Sequence, residues 1–510
     1  MEIRDVAVIG FGTMGAAIAE VFARSGVGVT AIEVGREALA AGMASLDGSL
    51  GRAVRRGQFD TEGKRAILDR VTPSTDLADA AHAGLVIEAV PEQMDLKRRV
   101  FAELDQVCRP GAILATNTSS LSVTEIAVGT SRPGRVLGLH FFNPAPVMHL
   151  VEVVTTVLTD SWVVDAAARQ MRGLGKTPVT VGDRAGFLVN ALLLPYLNHA
   201  VRLLESGYAS PEDIDEAAKS GIGLPMGPLT LLDLMGLDSA LSVLEVLYAE
   251  FGGQRRMPAP LLRRLVTAGM TGRKSGRGLY PYGPAEPRVK DSTPLPHGSG
   301  EQAPPHTVAL IMHDDQAGKP AAALSAALTE AGIAMTGPTA TESDLVVVAA
   351  APDRPRVRVD AIAGGRPADT VGLHLSGERV AEIVRTTLSS PAALARADAL
   401  ARHLGRVPLY SPDRPGFLVA ALLFPHLNDA VRMLGEGYAS ATDIDAAMTL
   451  GCRYPRGPLQ MIDDIGPDVV LAGLAAIYEC WRDPAFGPDP LLAEQAAAGL
   501  PFHPADQSYA

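Results

Sequence analysis

The sequence predicts an α/β domain built on a mostly parallel sheet, then an all-helical domain, a degenerate α/β region and a second copy of the helical domain. Three observations support this architecture. Short apolar runs alternate with helical patterns in the first part, the next part is helical, and that helical part recurs later in the chain. A chain of 510 residues also exceeds the size of one hydrophobic core, so about two to four domains are expected.

The first part contains five apolar runs that predict short buried strands, at residues 6–9, 28–32, 85–88, 113–115 and 136–139. The pattern becomes helical near Arg184, and Ala209-Ser210-Pro211-Glu212-Asp213 predicts a capped helix start. A turn rich in Gly, Lys and Arg at 272–280 closes this part. We therefore expect a sheet domain over 1–183 and a helical domain over 184–283.

The second half repeats the helical domain. Residues 414–466 match residues 184–236 at a constant offset, with more than half of the positions identical. Before this repeat, a Pro-, Gly- and Ser-rich stretch at 284–305 predicts a linker. Residues 306–410 predict a degenerate α/β region with strands near 308–312 and 345–348, and 411–510 is the second helical domain.

Composition excludes several classes of function. The net charge of −12 argues against nonspecific nucleic-acid binding, and no apolar stretch is long enough to span a bilayer. An acidic N-terminus that enters a strand-like run at once argues against a secretory signal. Cys108, Cys452 and Cys480 have neither metal-binding nor redox spacing. We expect no metal, no membrane and a cytoplasmic location.

A glycine-rich loop follows the first predicted strand and opens a helix, with the sequence Gly10-Phe11-Gly12-Thr13-Met14-Gly15. In this strand–loop–helix context the motif indicates a Rossmann-type site, where the glycines let the backbone approach a dinucleotide pyrophosphate. Glu33 ends the next strand, where a carboxylate accepts hydrogen bonds from the adenosine ribose and repels a 2′-phosphate. The pattern therefore favours NAD over NADP, although Arg36 lies nearby.

His140 and Glu152 lie in the run Leu139-His140-Phe141-Phe142-Asn143-Pro144 and on to Val151-Glu152. A histidine that is oriented by a carboxylate is a general base near neutral pH. Combined with the dinucleotide loop, the pair indicates removal of an alcohol proton coupled to hydride loss, which is dehydrogenase chemistry.

With these motifs the chain resembles the L-3-hydroxyacyl-CoA dehydrogenase family over residues 3–282. The resemblance also includes Asn117-Thr118-Ser119-Ser120-Leu121, Gly186-Phe187-Leu188-Val189-Asn190, Gly227-Pro228 and the basic turn. It implies that His140 takes the proton of the 3-hydroxyl group and that Glu152 orients the imidazole. Ser119 and Asn190 would then form hydrogen bonds around the reacting oxygen and the base.

The resemblance also implies the ligand contacts. Glu92, Lys97, Ser119 and Asn143 join the glycine loop and Glu33 as NAD-binding positions, while Ser49, Arg52 and Arg56 would contact CoA. A solvated helix face explains the basic cluster equally well, so that assignment stays open. The chain departs from the family pattern at Ala191 and Arg56, where relatives often carry Arg and Lys. We expect His149, where many relatives carry Lys, to be a surface or rim residue.

The second half lacks the catalytic set. His374 and Glu382 echo the His–Glu pair, but Ala420 stands at the position of Asn190 and the glycine loop is absent. We expect this half to be catalytically silent and to act as a built-in pseudo-dimer partner, so that the protein is a monomer or a homodimer. The layout resembles family members that act on 3-hydroxyadipyl-CoA and 3-hydroxybutyryl-CoA in bacterial aromatic-acid and fatty-acid breakdown.

Two other functions remain open at this point. The related gulonate dehydrogenases carry similar His–Glu motifs, so the substrate could be a free hydroxy acid rather than an acyl-CoA. A noncatalytic NAD-binding protein is the other alternative, and the intact Ser119, His140, Glu152 and Asn190 argue against it. Enzymes that use a catalytic Lys are less consistent with a histidine base that has its own carboxylate.

Overall fold

The structure is a computed structural model that describes residues 3, 5–282, 303–312, 319–337, 343–353 and 357–503. Its contacts divide the chain into two compact units. The first unit contains residues 1–191 and 436–453, and the second contains residues 192–435 and 454–510. Apart from residues 303–305, the predicted linker lies outside the described residues.

An eight-stranded sheet forms the centre of the first unit. Its strands are β1 Asp5–Ile9, β2 Gly28–Ile32, β3 Val71–Ser74, β4 Leu85–Glu88, β5 Ile113–Thr116, β6 Val136–Phe141, β7 Leu150–Thr155 and β8 Thr177–Gly182. The spatial order is β3-β2-β1-β4-β5-β6-β7-β8. Neighbouring strands are parallel except for β6 and β7, which are antiparallel. The five predicted strands are confirmed, and β3, β7 and β8 are additional.

The described helices are α1 Thr13–Arg24, α2 Arg36–Arg55, α3 Thr61–Leu68, α4 Met94–Val107, α5 Val123–Ala127, α6 Ser161–Gly173, α7 Val189–Glu205, α8 Pro211–Glu216, α9 Pro228–Met235, α10 Leu237–Phe251, α11 Pro260–Thr267, α12 Lys319–Glu330, α13 Val357–Ala363, α14 Pro391–His403, α15 Val419–Gly435, α16 Ala441–Cys452, α17 Pro458–Ile465, α18 Pro467–Trp481 and α19 Pro490–Ala498. A π-helical turn, Ala217–Ile222, follows α8.

Burial of their side chains explains why the central strands of the first unit have continuous apolar sequences. Every residue of β4, β5 and β6 is buried, as expected for strands of a mostly parallel sheet that helices cover on both faces. The core of this unit includes Val8, Phe22 and Leu137. By contrast, β3 is short and only one of its residues is buried, so its sequence carries little strand signal.

The second unit contains a six-stranded sheet, so the degenerate region is an α/β layer. Its strands are β9 Thr307–Ile311, β10 Ala334–Thr336, β11 Leu345–Ala349, β12 Thr370–Ser376, β13 Val380–Arg385 and β14 Val407–Pro412, in the order β10-β9-β11-β12-β13-β14. As in the first unit, one neighbouring pair is antiparallel, here β12 and β13. The strands predicted near 308–312 and 345–348 are confirmed as β9 and β11.

The two helical copies begin in the same way. Ser210 accepts a hydrogen bond from the Asp213 N–H at the start of α8, and Ser440 accepts one from the Asp443 N–H at the start of α16. The capped start predicted from the sequence is therefore confirmed. In the first unit α16 packs on β7 and β8, and in the second unit α8 packs on β14. Each sheet thus carries a helix from the sequence-distant copy of the helical domain.

No helix in the described part of the chain combines the length and the apolar character that crossing a membrane requires.

Candidate active site

His140 and Glu152 face each other across the antiparallel pair β6 and β7. The imidazole Nδ1 lies 2.6 Å from a carboxylate oxygen of Glu152, and both side chains are buried, Glu152 completely. A neutral imidazole that donates its Nδ1 hydrogen to a carboxylate keeps a lone pair on Nε2, which is the form that a general base requires. The contact with Glu152 suits this form of His140.

The second carboxylate oxygen of Glu152 accepts the backbone N–H groups of Leu188 and Val189, at 3.0 and 2.9 Å. These amides lie at the N-terminus of α7, where N–H groups lack partners within the helix and favour a negative charge. The turn before them places Phe187 at a φ of 49°, an uncommon conformation for a bulky residue. This uncommon backbone conformation directs the two N–H groups towards the carboxylate of Glu152.

Aromatic rings and amides surround the pair. The imidazole of His140 lies 4.5 Å from the ring of Phe142 and 5.7 Å from that of Phe187, measured between centroids. Asn190 follows the anchored Val189, and its side-chain amide donates to the backbone oxygen of Ser119 at 3.3 Å. The structure therefore brings Ser119 and Asn190 together beside the first turn of α7.

Glu92 holds the loop that carries Ser119. One of its oxygens accepts the Thr118 hydroxyl at 2.6 Å and the Ser119 N–H at 2.9 Å, and the other lies 3.3 Å from Lys97 Nζ. Burial alone would raise the pKa of Glu92, but the charge of Lys97 and the hydrogen bonds from Thr118 and Ser119 hold it below its ordinary value. The ionised form fixes this loop.

Lys97 is only 1% exposed, and its ammonium group donates to Glu88 at 2.7 Å. Glu88, which our sequence analysis did not select, also accepts the Thr116 hydroxyl and the Val90 N–H, each at 2.7 Å. Its signal in the sequence is a carboxylate at the end of an apolar strand. Lys97 therefore organises two carboxylates, and its direct contact with a nicotinamide ribose stays a prediction.

The glycine loop has the shape that a dinucleotide requires. A methyl group on Gly15 would lie 1.9 Å from the oxygen of Gly10, and one on Gly10 would lie 2.8 Å from the backbone of Ala89. Gly12, by contrast, faces open space directly before Thr13 and Met14, the first residues of α1. No side chain caps this helix start and its first turn holds no acidic residue, so the amides fit a pyrophosphate.

Glu33 lies beside the same loop. One carboxylate oxygen accepts the Phe11 N–H at 2.7 Å and the other accepts the Val34 N–H at 2.9 Å. The side chain is half-buried at the end of β2, which is the position where a carboxylate meets an adenosine ribose in this fold. The residues present therefore fit NAD.

The predicted CoA residues lie on α2 and just beyond it. Ser49 is half-buried, whereas Arg52 and Arg56 are exposed. Their positions suit an anionic ligand and also suit a solvated helix face, so both interpretations stand. Asn143 and His149 are exposed in the loop between β6 and β7, and the contact of Asn143 with the cofactor stays a prediction.

Lys176 stabilises the loop between β6 and β7, a role that the sequence did not predict. Its ammonium group donates to the backbone oxygens of Ala145 and Met148, each at 2.7 Å. Burial, with a smaller effect of Arg24, lowers the pKa of Lys176 to about 8. A lone Lys before a strand gives no pattern by which the sequence could have revealed this role.

The second unit contains a counterpart of the pair with different chemistry. Glu382 accepts the N–H groups of Leu418 and Val419, as Glu152 accepts its two amides. His374, however, contacts the backbone oxygen of Ala350 at 3.1 Å through Nδ1. Burial lowers the pKa of His374 to about 4 and raises that of Glu382 to about 7, so the pair favours its uncharged forms.

Within the described residues, no group of three or more His, Cys, Asp or Glu side chains could hold a metal ion. The three cysteines are free thiols.

Comparisons with known proteins identify both kinds of domain. Residues 5–184 match the model of the 3-hydroxyacyl-CoA dehydrogenase NAD binding domain. Residues 186–282 and 416–507 both match the model of the 3-hydroxyacyl-CoA dehydrogenase C-terminal domain.

Individual relatives agree with the family models. The chain is 35% identical to a 3-hydroxyadipyl-CoA dehydrogenase of Escherichia coli K12 over 97% of this chain and 98% of the relative. A 3-hydroxybutyryl-CoA dehydrogenase of Mycobacterium tuberculosis H37Rv is 47% identical over 55% of this chain and 99% of its own length. A crystal structure of a 3-hydroxybutyryl-CoA dehydrogenase from E. coli K12 superposes with a TM-score of 0.80 at 34% identity, covering 98% of this chain and 99% of that one. The chain therefore belongs to the 3-hydroxyacyl-CoA dehydrogenase family of NAD-dependent oxidoreductases.

Proposed function

We propose that the protein catalyses the reversible, NAD-dependent oxidation of L-3-hydroxyacyl-CoA to 3-oxoacyl-CoA, with His140 as the general base. The observation that supports this most directly is the buried contact of 2.6 Å between His140 and Glu152. A general base of this kind typically accelerates a reaction by roughly 10²–10⁴. The family matches support the substrate class, since the relatives are named for acyl-CoA substrates.

In this mechanism His140 Nε2 takes the proton of the 3-hydroxyl group. Glu152 holds the ring by its contact with Nδ1 and stabilises the positive charge that the ring acquires. NAD, when bound at the glycine loop, supplies the hydride acceptor. Ser119 and Asn190 provide hydroxyl and amide groups around the reacting oxygen, where such groups offset developing charge.

The second half is proposed to lack catalysis of its own. His374 has a backbone oxygen rather than a carboxylate on Nδ1, and Ala420 replaces the amide that Asn190 supplies. Its role is then structural, consistent with a pseudo-dimer whose second partner is part of the same chain.

The substrate is tested by NADH oxidation with acetoacetyl-CoA and by NADH formation with a panel of 3-hydroxyacyl-CoA esters that includes the 3-hydroxyadipyl ester. Free 3-hydroxy acids are assayed in parallel. Turnover of the CoA esters alone supports the proposal, and the best ester indicates whether the enzyme serves fatty-acid or aromatic-acid breakdown. Turnover of free acids alone would overturn it in favour of a gulonate-type dehydrogenase.

Neutralising the basic end of α2 tests the CoA contacts separately. Arg52→Ala and Arg56→Ala should raise the KM for acetoacetyl-CoA and leave the KM for NADH unchanged, because exposed Arg side chains at the end of this helix and just beyond it suit the phosphates of CoA. Unchanged KM values would instead favour a solvated helix face.

A further inference from the structure

The first unit includes a segment of the second helical copy, residues 436–453. Tyr438 in this segment donates its hydroxyl to the backbone oxygen of Gly182 at 2.7 Å. The guanidinium of Arg184 lies over the Tyr438 ring at 4.4 Å and pairs with Glu436 at 2.9 Å. The segment is therefore tied to the chain just before the turn that leads into α7.

The end of α16 packs on the residues around the candidate active site. A methyl group on Gly451 would lie 2.7 Å from Leu150 Cδ2, 3.3 Å from Val189 Cγ2 and 3.8 Å from Phe142 Cε1. A distance below 3.0 Å cannot be accommodated without movement of a neighbour. The missing side chain of Gly451 thus lets the helix lie against Leu150 and Val189 without displacing either side chain, while Phe142 lies at an ordinary contact distance.

Each of the three residues borders a group of the site. Val189 donates its N–H to Glu152 and directly precedes Asn190. Leu150 lies two residues before Glu152 on β7, so both side chains point to the same face of that strand. Phe142 packs its ring 4.5 Å from the imidazole of His140.

We propose that Gly451, from the second helical copy, is a positioning residue for the active site. Its close packing on Leu150, Val189 and Phe142 fixes the strand and the helix start that hold Glu152, and through Glu152 it fixes His140. The second half would therefore support catalysis although it has no active site of its own. This inference rests on the proposed function. Displacements of about 1 Å in a reacting group can lower a rate about 10²-fold, so small shifts here are measurable.

The duplication provides a matched control. Gly221 occupies the equivalent position in the first helical copy, and a methyl group there would lie 2.7 and 3.2 Å from the two Cγ atoms of Val419. Val419 anchors Glu382, the carboxylate of the silent pair. Substituting Gly221 therefore creates the same kind of steric conflict beside a carboxylate that the reaction does not use.

The experiment compares Gly451→Val with Gly221→Val in the full-length chain. The measured quantities are kcat and KM for acetoacetyl-CoA reduction, the Kd of NADH by fluorescence titration, and the Tm. We expect Gly451→Val to lower kcat about tenfold or more with an unchanged Kd for NADH, since the site and not the glycine loop is displaced. Gly221→Val should retain the wild-type kcat even if its Tm falls as far.

Equal losses of kcat in the two variants, or a wild-type kcat in Gly451→Val, would overturn the inference. If Gly451→Val does not yield folded protein, the pair Gly451→Ala and Gly221→Ala makes the same comparison with a smaller conflict. His140→Ala distinguishes a failure of the proposed mechanism from a failure of the positioning role of Gly451. Full activity in His140→Ala refutes the proposed mechanism, whereas an inactive His140→Ala beside a fully active Gly451→Val refutes the positioning role alone.

Discussion

His374 lies directly opposite Glu382 across β12 and β13, in the register that pairs His140 with Glu152, yet its Nδ1 contacts a backbone oxygen instead of the carboxylate. Shared strand register therefore does not by itself produce a contact between histidine and carboxylate. Glu382 instead accepts the N–H groups of Leu418 and Val419, and burial raises the pKa of Glu382 to about 7.

Substituting the two histidines compares the two halves directly. His140→Ala should lower kcat for acetoacetyl-CoA reduction by roughly 10²–10⁴, because the substitution removes the proposed general base. His374→Ala should leave kcat unchanged, since Nδ1 of His374 contacts the backbone oxygen of Ala350 and not Glu382. Steady-state kinetics of the two purified variants measure both effects. A marked loss in His374→Ala would show that the second half takes part in the reaction.

Glu382 makes stability depend on pH. Since its folded pKa of about 7 exceeds the ordinary 4.5, the folded state keeps a proton that the unfolded state releases. The contribution of Glu382 to the free energy of unfolding is therefore fully present below pH 4.5. It is lost as the pH rises through 7, which lowers the free energy of unfolding by about 3 kcal/mol. Glu382→Gln should therefore raise the free energy of unfolding near pH 8.

Urea unfolding at about pH 8 and at about pH 4.5 tests this dependence. The stabilisation by Glu382→Gln should be large at the higher pH and small at the lower one. Glu152→Gln is the matched control, because this carboxylate has the imidazole of His140 as its partner and should not gain stability when it is replaced. An equal effect of Glu382→Gln at both pH values would contradict the ionisation argument.

Glu33 is expected to set the preference for NAD. Its carboxylate lies beside the glycine loop through the Phe11 N–H, where it would accept ribose hydroxyls and repel a 2′-phosphate. Glu33→Ala should lower the ratio of kcat/KM for NADH to that for NADPH by about 10–100-fold. Arg52→Ala, on the next helix, serves as the control and should keep the wild-type ratio. A ratio unchanged in Glu33→Ala would rule out this role.

Burial of His426 is expected to lower the free energy of unfolding in mild acid. Its ring is 1% exposed and lies 4.9 Å from that of Tyr196, and burial lowers the pKa of His426 to about 4. The unfolded chain binds a proton near the ordinary value of 6.5, so stability falls as the pH drops from 6.5 towards 4, by about 3 kcal/mol. His199, whose pKa burial lowers to about 3, acts in the same direction.

His426→Phe removes this proton uptake and keeps an aromatic ring against Tyr196. The variant should therefore unfold at a lower pH than the wild type when circular dichroism follows an acid titration. His149→Phe, at an exposed position, should unfold at the wild-type pH. If His426→Phe unfolds at the same pH as the wild type, burial of this histidine does not govern acid stability.

Much of the fold was accessible from the sequence because its signals are local. The strand–loop–helix around Gly10, the apolar runs of the buried strands and the repeat beginning at Arg414 each lie within a short stretch. By contrast, β7 contains Glu152 within its apolar run, and β8 buries only Val179 and Val181, so neither predicted a strand of a parallel sheet. Their burial depends on neighbours that are distant in the sequence.

The sequence by itself determined the fold class, the dinucleotide loop, the His–Glu pair and the duplication, because residue type and spacing encode each of them. Only the tertiary structure decided what each carboxylate contacts: Glu152 contacts an imidazole, Glu382 accepts two backbone N–H groups, and Glu88 contacts Lys97. It also decided that Gly451 lies on Leu150, some 300 residues away in the chain. Hydrogen bonds and close packing depend on distances of a few tenths of an ångström, which linear spacing does not encode.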